Sequence, residues 1–132
     1  MKKSLFIILL TLLLLLVGCS KNDYIVFSDE TDNWKVSFSL NSYDSKYKLS
    51  VSYKGPSQDL INIQQLGYSF KVGTVEGERS ESRAKGFPTN NKVVFEEEST
   101  MNFGTNEKNL KTIPFKIEWN NNVEELELTL ID

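Results

Sequence analysis

The sequence predicts an all-β domain, and three observations carry the prediction. Apolar residues recur at every second position in five separate stretches, no stretch sustains a 3.6-residue period, and turn-forming residues stand in the gaps. The chain has 132 residues, of which 25% are charged and 39% hydrophobic. That suits one globular domain.

Taken in order, the short apolar piece Tyr24–Phe27 comes first. Trp34, Val36, Phe38 and Leu40 then alternate with Lys35, Ser37 and Ser39. Tyr47, Leu49, Val51 and Tyr53 alternate with Lys46, Lys48, Ser50, Ser52 and Lys54. Leu60–Ile63 is a short candidate strand, and Leu66, Tyr68, Phe70 and Val72 alternate around Gly67, Ser69 and Lys71. Ile61 and Ile63 are odd-numbered whereas Leu66 to Phe70 are even, so a bulge or break is expected at Gln64-Gln65. The span from Gly73 to Asn91 has no strand pattern, and a helix over Val75–Lys85 would be interrupted by Gly77 and Ser80. Val93–Phe95 and Met101–Phe103 are further short pieces. Ile113, Phe115, Ile117 and Trp119 alternate around Pro114, Lys116 and Glu118, and Leu126, Leu128 and Leu130 around Glu127 and Thr129. Turn residues fall at Asn41-Ser42, Gly55-Pro56, Gly73, Gly104 and Asn120-Asn121-Asn122.

One apolar and one polar face per strand is what antiparallel sheets with a solvated side require. The expected fold is an immunoglobulin-like antiparallel sandwich of about 7–9 strands, with a small β-barrel as the alternative. A lone cysteine excludes an intrachain disulfide, so Trp34 and Trp119 are expected to fill the centre by packing alone. The closing hairpin is the most constrained element. A two-residue loop Asn120-Asn121 pairs Phe115 with Leu126 and Lys116 with Glu125. It suits a type I′ turn, which needs positive φ at both positions. A three-residue loop would pair Trp119 with Val123 and turn the leucines outward; a four-residue loop would set Glu118 opposite Glu125.

Composition limits the chemistry. With no histidine and one cysteine, Ser-His-Asp and Cys-His nucleophiles, HExxH zinc sites and imidazole shuttles are excluded. No enzyme and no cofactor are expected.

The N-terminus reads as an address. Lys2 and Lys3 precede Leu5–Val17, a run apolar except for Thr11. As a helix it would span roughly 20 Å, short of the ~30 Å hydrocarbon core, so it fits a secretory signal better than a membrane span. Leu16-Val17-Gly18-Cys19 resembles the lipobox of bacterial lipoproteins. That resemblance implies a diacylglyceryl thioether on Cys19 and cleavage just before it. The expected organisation is a signal peptide over 1–18, a lipidated Cys19 with a short tether over 19–23, and a β-domain over 24–132 on the extracytoplasmic face of the cell membrane. Loss of 1–18 takes two of 15 basic side chains and none of the 18 acidic ones, leaving a net charge of −5. No nucleic-acid partner is expected of such a chain.

Candidate sites are few. Asp29, Asp32 and Asn33 could supply some of the oxygens calcium needs, although the spacing is not that of an EF-hand and a solvated turn explains them as well. Glu96-Glu97-Glu98 cannot act as a carboxylate pair, because neighbours on a strand point to opposite faces; a charged sheet edge explains them better. Arg79, Arg83 and Lys85 could clamp an anion, but Glu76, Glu78 and Glu81 interleave with them. The aromatic residues alternate on apolar faces and read as core, with Tyr43 outside the pattern.

Asp32-Asn33-Trp34-Lys35-Val36 and Phe115-Lys116-Ile117-Glu118-Trp119-Asn120-Asn121 resemble the two ends of small uncharacterised lipoproteins of Firmicutes, with Asn121 where that pattern has Gly. The resemblance implies a setting and no activity. The expected role is a membrane-anchored, non-catalytic binding or accessory module of the cell envelope, with an envelope protein as possible partner. The alternative is a small ligand- or ion-binding lipoprotein using the Asp29–Asn33 loop or the 73–91 segment.

Overall fold

A computed structural model describes residues 24–131 except 42, 105 and 106. The signal segment, Leu16-Val17-Gly18, Cys19 and the tether to Asp23 lie outside the described residues.

Among the described residues eight strands form: β1 (Tyr24–Glu30), β2 (Trp34–Asn41), β3 (Lys46–Tyr53), β4 (Gln65–Val72), β5 (Val75–Ser82), β6 (Val93–Thr100), β7 (Thr112–Trp119) and β8 (Asn122–Leu130). All neighbours are antiparallel, in one sheet of order β5-β4-β7-β8-β1-β2-β3-β6. The all-β class is as expected. The division into two separate sheets is not: the strands belong to one sheet that curls into a half-barrel. Two four-stranded halves, β1-β2-β3-β6 and β5-β4-β7-β8, are joined where Phe27 pairs with Leu130 and Ser28 with Thr129.

The curl turns the apolar faces of both halves toward each other. Phe38 meets Phe70 edge-on with ring centres 4.9 Å apart, and Tyr68 meets Phe95 at 5.1 Å. Phe27, Val36, Leu49, Val51, Leu66, Ile113, Ile117 and Leu128 complete the interior. Burying a large side chain contributes about 1.5–3 kcal/mol, so this interior supplies most of the drive to fold. Trp34 and Trp119 do face inward, 5.4 Å apart, but at one end of the half-barrel rather than its centre, and Trp119 stays partly exposed. The centre belongs to Phe38, Tyr47, Tyr68, Phe70 and Phe115.

Three expectations change and one holds. Residues 75–82 are a strand, not a helix, paired along their length with β4. Hydrophobicity hides this because β5 is an edge strand, so its inward positions, Val75, Gly77, Arg79 and Glu81, face a seam rather than a sealed core. Gly77 is needed there: a Cβ would lie 2.3 Å from the Phe70 ring. Leu60–Ile63 is not a strand. A 3-10 helix, Ser57–Asn62, follows Pro56 and drives Leu60 into the distal end of the interior. Met101–Phe103 falls in a loop after β6, although Phe103 still plugs the core. The expected break at Gln64-Gln65 is present, between the 3-10 helix and the start of β4.

The closing hairpin has the expected register, with Phe115 opposite Leu126, Lys116 opposite Glu125 and a two-residue loop. The turn type differs, because positive φ occurs at Asn120 (49°) and not at Asn121. Tertiary contacts account for Asn120. Its amide oxygen accepts from the backbone N–H of Gln64 at 3.0 Å, and its Nδ2 donates to the Asn62 carbonyl at 3.1 Å.

The ends of the half-barrel differ. The proximal end, where β1 begins, carries the 41–46, 72–75 and 100–112 connections. The distal end is closed by the 3-10 helix and the 83–92 loop. That loop crosses at Gly86, whose φ is +73° and where a Cβ would strike the Ile61 carbonyl at 1.9 Å.

Candidate functional site

Two surfaces combine polar groups with shape. The first is the seam where β5 and β6, the ends of the sheet, face each other without pairing. Met101 N–H donates to Ser45 C=O and Arg83 N–H to Gln64 C=O. Bonded positions alternate along antiparallel ladders. The backbones of Glu96, Glu98 and Thr100, and of Glu76, Glu78, Ser80 and Ser82, therefore face the open edges.

Glu97 points inward across this seam, opposite Leu49 and on the same face as Phe95. Its carboxylate accepts from the hydroxyl of Tyr47 and, at 2.6 Å, from that of Tyr68. Both tyrosines are buried. Burial, then the hydrogen bond to Glu97 and its charge, push both phenols well above their ordinary range. They are fixed donors near neutral pH, not acid–base groups. Arg79 closes the seam from β5. Its guanidinium lies 4.9 Å over the Phe95 ring and 3.9 Å from Glu97. Burial opposes ionisation of Glu81, but hydrogen bonds from Arg83 and Arg79 win and hold its carboxyl below the usual range.

The second surface is a trough on the outer face of β5-β4-β7-β8. Two adjoining hollows of about 660 and 700 Å³ share Ser69, Glu78 and Lys116. The floor is low because Gly67 has no side chain; a Cβ there would sit 3.0 Å from the Arg79 carbonyl. Both wall lysines are paired, Lys71 with Glu76 at 3.3 Å and Lys116 with Glu118 at 3.0 Å, and Glu78 and Glu125 add acidic groups to the lining. Hydroxyls of Ser69, Ser80 and Ser82 and amides of Asn120, Asn121 and Asn122 complete the lining. The volumes fall within the usual range for small-molecule sites.

The residues singled out from sequence are dispersed. Asp29 accepts from the backbone N–H of Glu30 at 2.8 Å and of Glu127 at 3.2 Å. Asp32 is exposed, and Asn33 donates to Glu124 at 2.6 Å, a carboxylate that also accepts from Thr31. Lys54 ties the same loop to the Thr31 carbonyl at 2.7 Å and to Glu30 at 3.1 Å. Asp29 and Asn33 thus tie down a turn on which Asp32 is exposed, and among the described residues no three His, Cys, Asp or Glu side chains converge to hold a metal ion. Glu96 and Glu98 face outward on the terminal strand β6. Arg79 and Arg83 converge on Glu81 rather than on an open anion site, and Lys85 is exposed in the loop beyond. Tyr43 is 76% exposed.

Glu97 was legible as an inward residue, since it continues the parity of Phe95. Its partners were not, because Tyr47 and Tyr68 reach it from two other strands. No sequence signal marks the trough.

Comparison with family models, with curated proteins and with solved structures finds no match to this chain. What the fold and surfaces define is a small all-β domain of eight antiparallel strands with one open seam.

Proposed function

We propose that the chain is a lipid-anchored, non-catalytic binding domain on the extracytoplasmic face of the membrane, taking a small polyhydroxylated ligand in the outer trough. The observation that carries the ligand reading is the trough itself, where hydroxyls, amides and paired lysines converge over a low floor. Glu78 and Glu125 leave the lining slightly acidic, which disfavours an anion, and its hydroxyls and amides favour a hydrogen-bonding ligand such as a saccharide. The lipobox Leu16–Cys19 supports the anchor, and two acyl chains hold stably at about 0.8 kcal/mol per buried CH₂. The kinship to immunoglobulin-like sandwiches rests on the strand count and the two facing halves. A protein partner is the second reading; the open edges of β5 and β6 favour it, since an extended segment can add a strand there.

Thermal unfolding of the full chain against a panel of oligosaccharides tests the ligand. One glycan is expected to raise Tm in proportion to the logarithm of its concentration above Kd, with about 2.7 kcal/mol of stabilisation at a hundredfold Kd. Ser69→Tyr, which fills the trough, should abolish the shift. No shift with any glycan, or an unchanged shift in S69Y, would sink the reading. For the anchor, Cys19→Ser should abolish lipid labelling and leave an unprocessed precursor; maturation and membrane retention of C19S would refute it.

A further inference from the structure

We propose that the proximal end of the half-barrel rests in the interfacial layer of the bilayer through Tyr43, Leu130 and Ile131. The inference rests on the lipid-anchor reading and adds which face of the domain meets the lipid. These side chains are 76%, 48% and 53% exposed. They bracket the first residues of β1. Tyr24 pairs with Asn41, whose side chain accepts from the Tyr43 N–H at 2.9 Å, and Ile131 N–H donates to the Val26 carbonyl at 2.8 Å on the other side. Ile25, between them, is only partly buried. An apolar group of this kind, left in water, marks an interaction surface.

The occupant follows from where the chain leaves the domain. Four residues separate Cys19 from Tyr24, and they reach at most about 14 Å. An eight-residue strand spans about 26 Å, so the distal end cannot be drawn to the lipid while the proximal end stands away. The other exposed large apolar side chains, Ile61 and Val123, lie at that distal end. Tyr43 suits the headgroup layer, where a ring with a polar tip is satisfied on both sides. Charge at this end is mixed. Lys46 is paired with Asp44 at 3.2 Å, whereas Lys108 and Lys111 are exposed on the 100–112 connection. The proposed contact is the apolar one, and its persistence in high salt separates it from attraction of these lysines to anionic lipid.

The test uses the full lipidated chain in phosphatidylcholine–phosphatidylglycerol vesicles containing brominated lipid, with Y43W, I131W and V123W. Native Trp34 and Trp119 lie at the distal end and serve as an internal reference. Emission from Y43W and I131W is expected to be quenched at least twofold more than that of the native pair, in low and high salt alike, and V123W is expected to match the native pair. Co-sedimentation with unquenched Y43W and I131W, or equal quenching of V123W, overturns the orientation while leaving the anchor intact. Failure to co-sediment removes the anchor reading and this proposal with it. Concentration-dependent shielding of the Y43W indole from iodide without vesicles would mean that a second copy covers the patch, which also overturns it.

Discussion

The two halves of the sheet meet twice, and the junctions are of different kinds. Along β1 and β8 the meeting is backbone pairing at Phe27–Leu130 and Ser28–Thr129, with Phe27 and Leu128 fully buried behind it. Along β5 and β6 there is no backbone pairing; Glu97 reaches across the gap to Tyr68 and Arg79, while Tyr47, from the neighbouring strand of its own half, also bonds its carboxylate. The first junction is held by apolar area and ladder hydrogen bonds. The second is held by ring packing, with Tyr68 and Arg79 against Phe95, and by a few polar contacts whose removal leaves buried groups unsatisfied. An interior can therefore be sealed on one side by continuity of the sheet and on the other by rings gathered around one inward carboxylate.

The largest effect is expected at the paired junction. Phe27→Ala removes a fully buried ring and should cost about 3–5 kcal/mol in urea unfolding. A cost under about 1 kcal/mol would mean that the β1–β8 contact does not hold the halves together. Glu97→Ala should come next, at about 2–4 kcal/mol, because two buried hydroxyls each lose a partner worth about 1–3 kcal/mol. The triple change Tyr47→Phe, Tyr68→Phe, Glu97→Leu should recover most of that loss, since polar partners removed together leave nothing unpaired. If E97A and the triple variant fall equally, Glu97 acts by packing rather than by hydrogen bonding.

Alkali probes the same junction more gently. Tyr47 and Tyr68 ionise later folded than unfolded. Above about pH 10 the unfolded chain has lost phenol protons that the folded chain keeps, so stability falls as pH rises. The slope should approach about 1.4 kcal/mol per pH unit for each tyrosine, and Tyr68→Phe should remove one share of it. A stability flat from pH 9 to 11.5 would contradict the buried phenol–carboxylate cluster. The smallest effect belongs to the outward edge. Glu96→Val with Glu98→Val should change stability by no more than about 0.5 kcal/mol, yet sedimentation should show aggregation, because the open β6 edge loses its charges. A monodisperse double variant would show that these glutamates do not guard it.

Period-two patterning by itself determined β2, β3, β4, β7 and β8 and the faces they bury, because one solvated and one packed side writes alternation into each strand. The 119–122 register followed from parity and charge together, since a slip of one residue would turn the leucines outward and a slip of two would set Glu118 opposite Glu125. Only the tertiary structure decided β5, whose inward Arg79 and Glu81 make sense once a seam lies opposite. It also decided the left-handed Asn120, which binds the backbone of Asn62 and Gln64. The single sheet in place of two was equally beyond the sequence, because strand order depends on which edges meet in space. So was the Glu97 cluster: a residue's face can be read from its own strand, but the hydroxyls that satisfy it come from strands 50 and 29 residues away.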